Sequence, residues 1–525
     1  MTRTVRTTPP PHHPPLRRSL GVVDGVALAA SSTAATTSVG IGMGALAATV
    51  GAQAPAILIV AFLPILGIAA AYARLSRDEP NMGSGYVWVG RSLGPWLGFL
   101  TGWVTLVGTV IFMAYTSAVT GSVVLQFAGK AGLHEAAGLR LDPNSTALST
   151  AVGLVVLVAV TVTAVTGVRK ATRFQTWLLV FEYAVLLGFC GMALVTGDHS
   201  FDWAWLNPFA VEDGTAFAKG LVLAVFFFWG WDAAFAVAEE TRDVRDVGRG
   251  GFIALLTMLA LFLYGAIAFQ RELSVPELIA EGPQGLTHLG AMLADEPWAT
   301  LPLLALMCSA VASLQSSVIP TARGLLAMGR DRTMGPVWTR VSPRFGSPAV
   351  GTVLVMSIAA AVALLALAIP KLNEMILAAV NSIGLTVALY YGLTALACAA
   401  RFRPLLRTAP GQALRAVVAP GLAGIALLGI GGYLGYSYLT QSDHFELSPD
   451  NGWFMLTVPA AVIASGLVMA AVAKYGRRSP YFVRGQSAAA SPVPSAASAV
   501  SAPLPAPPTG PVETARPADS QNPSH

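Results

Sequence analysis

The chain has 525 residues, of which 54% are hydrophobic and only 11% charged, with a mean hydropathy of +0.63. Soluble domains carry about 25% charged residues, and no polar stretch here is long enough to build a water-faced domain, so the composition excludes a soluble enzyme and implies a polytopic membrane protein. The net charge of +5 and isoelectric point near 9.2 would suit nucleic acid, but the basic residues cluster at span ends, where they set topology, and no nucleic-acid partner is expected.

Residues 1–19 are Pro- and Arg-rich, lack the apolar core of a cleaved signal and are expected to be a disordered cytoplasmic N-terminus. A membrane span needs about 20 apolar residues. Twelve are predicted, at about 21–49, 54–75, 96–128, 149–168, 174–197, 217–241, 248–270, 298–328, 349–369, 375–400, 414–440 and 453–474. With both termini inside, all but five of the 32 Lys and Arg fall on the cytoplasmic side, the exceptions being Lys130, Arg140, Lys219, Arg271 and Lys371. The same charges suit anionic membrane lipid. The Ala/Pro/Ser-rich segment 476–525 is expected to be a second disordered cytoplasmic tail.

Two spans interrupt the apolar pattern. The first carries Ser31-Ser32-Thr33-Ala34-Ala35-Thr36-Thr37-Ser38, followed by Gly40, Gly42 and Gly44. Such weak helix formers either unwind a helix locally or let helices pack closely. The sixth carries Phe226-Phe227-Phe228-Trp229-Gly230-Trp231-Asp232 and runs into Glu239-Glu240-Thr241. An acid at that depth costs roughly 3 kcal/mol or more, so it faces a protein interior or a substrate path. Broken backbone inside a bilayer is tolerated only where it lines a cavity. Two breaks five spans apart suggest an inverted repeat, the first about 20–197 and the second about 217–400, with two further helices at about 414–474.

The direction of each helix implies a ligand. The first runs outward, so the outer half starts near Thr36–Ser38 and aims free N–H groups into the cavity, which suits a carboxylate. The sixth runs inward, so carbonyls near Phe228 and Trp229 suit an ammonium. Together they describe an α-amino acid, with Phe226, Phe227, Trp229 and Trp231 as candidates to close over its side chain.

These residues resemble the amino acid–polyamine–organocation (APC) permeases. Two loops add to the resemblance: Pro80-Asn81-Met82-Gly83-Ser84-Gly85-Tyr86-Val87-Trp88-Val89, and Ala322-Arg323-Gly324-Leu325-Leu326-Ala327-Met328-Gly329-Arg330-Asp331. The likeness covers about residues 20–475 and implies an all-α leucine-transporter-type fold: two inverted five-helix repeats with helices 1 and 6 broken, plus two C-terminal helices. It implies substrate binding by Ser32, Thr33, Ala34, Thr36 and Thr37 of helix 1 and by Phe226, Trp229, Gly230 and Asp232 of helix 6, with Phe226 as the lid. Many relatives have Gly-Ser-Gly at the first break, where this chain has Ala-Ala-Thr-Thr. In several relatives a lysine of helix 5, seven residues after a loop glutamine, replaces a sodium ion. Here the glutamine resembles Gln175 and the corresponding residue is Glu182.

A buried carboxylate can carry a proton, so Glu182 is a candidate proton carrier, or part of a cation site with Ser316 and Ser317. Glu239 and Glu240 are candidates for an inner gate with Arg17, Arg18 or Arg323, or for a plain solvated helix end. Cys190, Cys308 and Cys398 lie alone in separate spans and all seven His lie outside the spans, so neither a metal site nor a cofactor is expected. No phosphate-binding loop with Lys-Ser/Thr occurs, which argues against an ATP-driven pump. The expectation is a non-enzymatic, multi-pass importer of an amino acid or related amine, coupled to a proton or to sodium, in a bacterial inner membrane. A polyamine permease, an exchanger and a non-transporting amino acid sensor stay open.

Overall fold

The computed structural model describes residue 18 and residues 20–484, apart from 137, 166–167, 369–371, 442–443, 445 and 447–450. Inner and outer below follow the orientation expected from the basic residues. The first predicted span forms two helices, α1 (Val22–Thr33) and α2 (Ala35–Val50), and the second forms α3 (Ala54–Asp78). A short inner helix, α4 (Gly85–Ser92), leads into α5 (Pro95–Lys130), followed by α6 (Thr146–Val165) and α7 (Val168–Thr196). The sixth span is α8 (Gly214–Phe227), continued by a 3-10 stretch, Trp231–Glu240. Next come α9 (Val244–Glu272), the outer α10 (Val275–Glu281) and α11 (Gly285–Leu293), and α12 (Leu301–Arg330). The chain continues through α13 (Ala349–Leu365), α14 (Leu372–Phe402), α15 (Leu405–Thr408), α16 (Pro410–Ala413), α17 (Ala419–Gln441), α18 (Gly452–Ala471) and α19 (Tyr481–Arg484).

Among the described residues, ten helical segments are long and apolar enough to cross a membrane. One of them, Val22–Asp78, contains the first two predicted spans, and Ala349–Leu365 is a further, shorter apolar helix. The protein is an integral, multi-pass, all-α membrane protein.

Local chemistry sets the helix starts. Proline stands in the first turn of α3, α5 and α12, where its missing N–H has no intrahelical partner to lose. Asp213 accepts from the Thr215 and Ala216 N–H groups to cap α8, and Asp243 accepts from the Arg245 N–H to cap α9. Asp24 accepts from the Gly21 N–H at 2.9 Å, a capping role at the entry to α1. Where α5 crosses α6, Gly121 lies on the Ser149 carbonyl and Gly153 on that of Ser117, a backbone-to-backbone approach that only small residues allow.

Tyr72 of α3 centres an aromatic cluster, with ring centroids 5.3 Å from Trp88, 5.2 Å from Trp231, 5.4 Å from Phe235 and 6.0 Å from Tyr391. Trp231 is therefore a fully buried core residue, not the substrate-covering aromatic expected from the sequence.

The segment after α18 also differs from expectation. Residues 477–484 were expected to begin a disordered tail, yet they fold back beneath the bundle. The Tyr481 ring stacks on Tyr86 with centroids 4.7 Å apart and planes 10° apart, and its hydroxyl donates to the Tyr86 carbonyl at 3.0 Å. Gly90 and Gly98 leave room for that hydroxyl. Arg477 donates to the Thr333 carbonyl and Ser479 to that of Asp331. Two aromatics, Tyr481 and Phe482, supply apolar area that the rest of the tail lacks, and Phe482 packs on Trp96. Residues 485–525, and residues 1–17 of the expected N-terminal tail, lie outside the described residues.

Candidate functional site

The interruption of the first span is narrower than its composition suggests. Only Ala34 leaves the helical region, with φ 48° and ψ 55°, and the helix resumes at Ala35. The start expected at Thr36–Ser38 thus lies one to three residues earlier, at Ala35, because a single left-handed residue is enough to offset the two halves. The Ala34 N–H donates to the Ser31 carbonyl at 3.3 Å. The Thr37 N–H, expected to be free, donates to the Ser309 hydroxyl of α12 at 3.3 Å. Thr33 turns its hydroxyl back to the Ala30 carbonyl and to the Met258 sulfur. The hydroxyls of Ser31, Thr36 and Thr37 are buried without a protein hydrogen-bond partner.

The sixth span breaks over Phe228–Gly230. The Trp229 N–H turns back to the Phe226 carbonyl, Gly230 adopts φ 107° and ψ −19°, and the Ala233 N–H rejoins the Gly230 carbonyl. A side chain at Gly230 would meet Ser32: a Cβ there lies 2.6 Å from the Ser32 carbonyl oxygen and 3.0 Å from its hydroxyl. The two breaks therefore touch, and glycine is required both for the backbone angle and for the close approach.

Two cavities meet at this junction. The outer one encloses about 1490 Å³ including its mouth and is bounded by Ser32–Ala34, Thr37, Phe226, Phe227 and Trp229. The inner one spans about 840 Å³, likewise including its mouth, and extends from Ser32, Trp229, Gly230 and Asp232 to the segment Met82–Tyr86. Ser32, Phe112 and Trp229 line both. Trp229 is the partition. Its indole N–H donates to the Tyr390 hydroxyl at 2.6 Å, and Phe112 meets its ring edge-on with centroids 5.3 Å apart. Phe226, to which the resemblance assigned the lid, is half-buried on the outer side with its centroid 5.9 Å from Trp229.

Asp232 lies on the inner side of the partition. Its carboxylate accepts from the Tyr391 hydroxyl at 2.9 Å and from Tyr390 at 3.4 Å. Sequence reasoning missed both tyrosines. The signal was a pair of phenols in an otherwise apolar span, each needing a polar partner when buried.

Glu182 is completely buried on α7, and neither carboxylate oxygen makes a protein hydrogen bond. Its polar neighbours are Thr36 and Ser309, so Thr36 faces this acid and does not line either cavity. Ser316 and Ser317, grouped with Glu182 from the sequence, lie about 10 Å farther along α12 at 1.5 Å per residue and turn their hydroxyls to the Ser313 carbonyl. Ser317 lines the inner cavity.

At the inner end Glu240 accepts from the Arg323 guanidinium at 2.5 Å, with both side chains buried. Glu239 takes a partner not anticipated, Arg330 at 3.2 Å, and also accepts from the Met82 N–H at 3.2 Å. Arg18 is exposed, and Arg17 lies outside the described residues. The Leu20 N–H donates to the Glu240 carbonyl at 3.1 Å, which fastens the entry strand to the same helix end. A solvated helix end does not describe this arrangement.

Several known proteins are similar to this chain, and three of them show the range. The chain is 27% identical to the methylthioribose transporter of Bacillus subtilis (strain 168) over 62% of its own length and 71% of that protein's. It is 24% identical to the branched-chain amino acid permease BcaP of the same organism, over 64% and 72%. It is also 24% identical to the low-affinity putrescine importer PlaP of Escherichia coli (strain K12), over 57% and 64%. The profile described as amino acid permease matches residues 20–434, so the chain belongs to the amino acid permease family of APC transporters, and it is a transporter and not an enzyme.

Proposed function

We propose that the protein is a secondary active permease that imports an amino acid by alternating access with a proton as the coupling ion. The observation that carries this reading is the junction itself: two interrupted helices pack against each other where an outer and an inner cavity share Ser32, Phe112 and Trp229. In this reading twelve spans form two inverted five-helix repeats and two added helices, with both termini cytoplasmic in a bacterial inner membrane.

The substrate carboxylate binds at Ser32–Thr37, and the ammonium at the carbonyls that end α8, beside Asp232. Trp229 and Phe226 cover the side chain, and Gly230 admits the close approach. Glu182 carries the proton. The Ser309 hydroxyl links the two sites, because it receives the Thr37 N–H and neighbours the Glu182 carboxylate. Ser309 accepts from Thr37 and keeps its own O–H free to donate toward Glu182, so a substrate carboxylate that claims the Thr37 N–H alters the hydroxyl that faces Glu182. The pairs Glu239–Arg330 and Glu240–Arg323 form the inner gate and separate when the inner side opens. One charge moved through 100 mV is worth about 2.3 kcal/mol, roughly forty-fold accumulation, so one titrating acid suffices for uptake.

A diamine permease is the competing reading. Asp232 on the inner path favours it, and the putrescine importer among the relatives agrees with it. The test is radiolabelled uptake into proteoliposomes, using a mixture of the twenty amino acids with and without an inward proton gradient, and putrescine in parallel. Gradient-stimulated amino acid uptake is expected. Binding of an amino acid without flux in either direction would overturn the permease reading in favour of a sensor.

A further inference from the structure

The two cavities carry opposite charge. Among the described residues lining the outer cavity the only ionisable acid or base of full charge is Lys219, and no carboxylate is present. Lys219 belongs to α8, and its ammonium lies 5.7 Å from the centroid of the Tyr438 ring, which holds the positive end on the cavity wall. The nearest acid on that helix, Asp213, is occupied as the cap of α8, accepting from Thr215 and Ala216 at 2.6 and 2.7 Å. The inner cavity has the opposite sign, with Asp232 the only charged side chain among the described residues that line it. A ligand arriving from outside therefore meets a cation on the wall of the outer funnel before it reaches the junction, and an acid only beyond Trp229. Clefts lined by one sign of charge concentrate the opposite sign and deplete their own.

We propose that Lys219 makes the outer vestibule an electrostatic filter that rejects ligands with net positive charge, so that this permease takes a net-neutral, zwitterionic amino acid and excludes diamines and cationic amino acids. The inference rests on the permease reading. A zwitterion enters without net cost, presents its carboxylate to the Lys219 side and delivers its ammonium toward Asp232. At about 7 Å and an effective dielectric near 40, Lys219 disfavours a ligand by roughly five- to ten-fold per unit of net positive charge.

The test uses the full chain in proteoliposomes, with radiolabelled leucine, valine, methionine and phenylalanine as probes and putrescine and arginine as unlabelled competitors. In the wild type, neutral uptake is expected to resist putrescine and arginine, and higher ionic strength is expected to weaken that resistance by screening. Lys219→Glu is expected to strengthen competition by arginine about ten-fold or more and by putrescine further, with little change in the maximal rate of neutral uptake. Lys219→Arg is expected to restore the wild-type pattern. A purely structural role for Lys219 would not produce a salt-dependent, charge-graded selectivity. The wild-type competition and its salt dependence remain decisive if a variant fails to fold. Putrescine competing as well as the neutral mixture in the wild type, or unchanged selectivity in a folded Lys219→Glu protein, overturns the filter and leaves the permease standing. Absence of uptake of every labelled amino acid, and of radiolabelled putrescine offered in parallel, removes both.

Discussion

Replacing Gly230 by alanine tests whether the two helix breaks depend on their mutual contact. The added Cβ lies 2.6 Å from the Ser32 carbonyl oxygen and 2.8 Å from its carbon, and the residue is held at φ 107°. A side chain held in so unfavourable a backbone region costs about 1–3 kcal/mol, and forcing the two backbones apart costs about 1–3 kcal/mol more. Gly94 provides the control. It has φ 112°, but a Cβ added there would meet nothing within 4 Å, so Gly94→Ala carries the backbone cost alone. The assays are apparent melting temperature in detergent, compared at one heating rate because such unfolding is commonly irreversible, and initial uptake rate. Gly230→Ala is expected to melt several degrees below Gly94→Ala and to transport more than about ten-fold more slowly, since tenfold corresponds to only about 1.4 kcal/mol. Equal melting and equal uptake by the two variants would refute the claim that the Ser32–Gly230 contact organises the junction.

Four further outcomes are expected. Glu182→Gln keeps shape but removes the titrating group; it should abolish stimulation by a proton gradient while leaving substrate exchange between loaded and external pools, and a variant still stimulated by the gradient would take the coupling role away from Glu182. Asp232→Asn should lower uptake about ten-fold or more at normal expression, whereas wild-type rates would remove the inner-site assignment. Arg323→Met leaves buried Glu240 unpaired and should cost about 3–5 kcal/mol, seen as a lowered melting temperature, with Arg323→Met/Glu240→Gln recovering part of it; if the double variant melts no higher than the single, the pair is not the cause. Ending the chain after Arg484 should leave the melting temperature unchanged, and ending it after Tyr475 should lower it, because Tyr481 then no longer stacks on Tyr86.

Hydropathy made the membrane-spanning, all-α character legible, since burial in lipid imposes a length and a polarity that few other sequences meet. Gly230 was legible for a related reason: a glycine beside an acid inside a span has no purpose in an unbroken helix. Ala34 was not. Alanine is a strong helix former, and its left-handed conformation is imposed by the tertiary fit around it, so the eye fell on the surrounding serines and threonines, most of which remain helical. Trp231 and Phe226 show the same limit. Adjacent aromatics in one short break look alike in sequence, but which of them faces a cavity and which faces Tyr72 depends on the 3-10 turn that follows. The carboxylate pairs at the inner end were half legible: Arg323 was named for Glu240, while Arg330, two turns farther along α12, was beyond the reach of pattern alone. The docking of residues 477–484 was signalled by Tyr481-Phe482, two large aromatics that an unstructured polar tail has no reason to keep.

The backbone at the two breaks bears on how a substrate is held. An unsatisfied backbone group inside a bilayer costs several kcal/mol, and here the exposed turns largely satisfy themselves: Ala34 to Ser31, Trp229 to Phe226 and Ala233 to Gly230. A further donor, the Thr37 N–H, is taken by a side chain of another helix, Ser309. The Thr37 donor is therefore already engaged, which helix direction alone does not suggest. Buried side-chain groups there without a protein hydrogen-bond partner include the hydroxyls of Ser31, Thr36 and Thr37, the Trp231 indole N–H and the carboxylate of Glu182. A carboxylate that takes the Thr37 N–H has to displace Ser309 as its acceptor, and Ser309 already has Glu182 as a neighbour. In the proposed permease, substrate occupancy and the protonation state of the buried acid then act on the same hydroxyl, which accepts on the helix 1 side and faces Glu182 with its proton, and this ties them thermodynamically: each changes the other by the same factor. Ser309→Ala, which removes the shared hydroxyl without disturbing either site's own charge, should uncouple them, leaving amino acid binding in place while uptake no longer responds to the proton gradient.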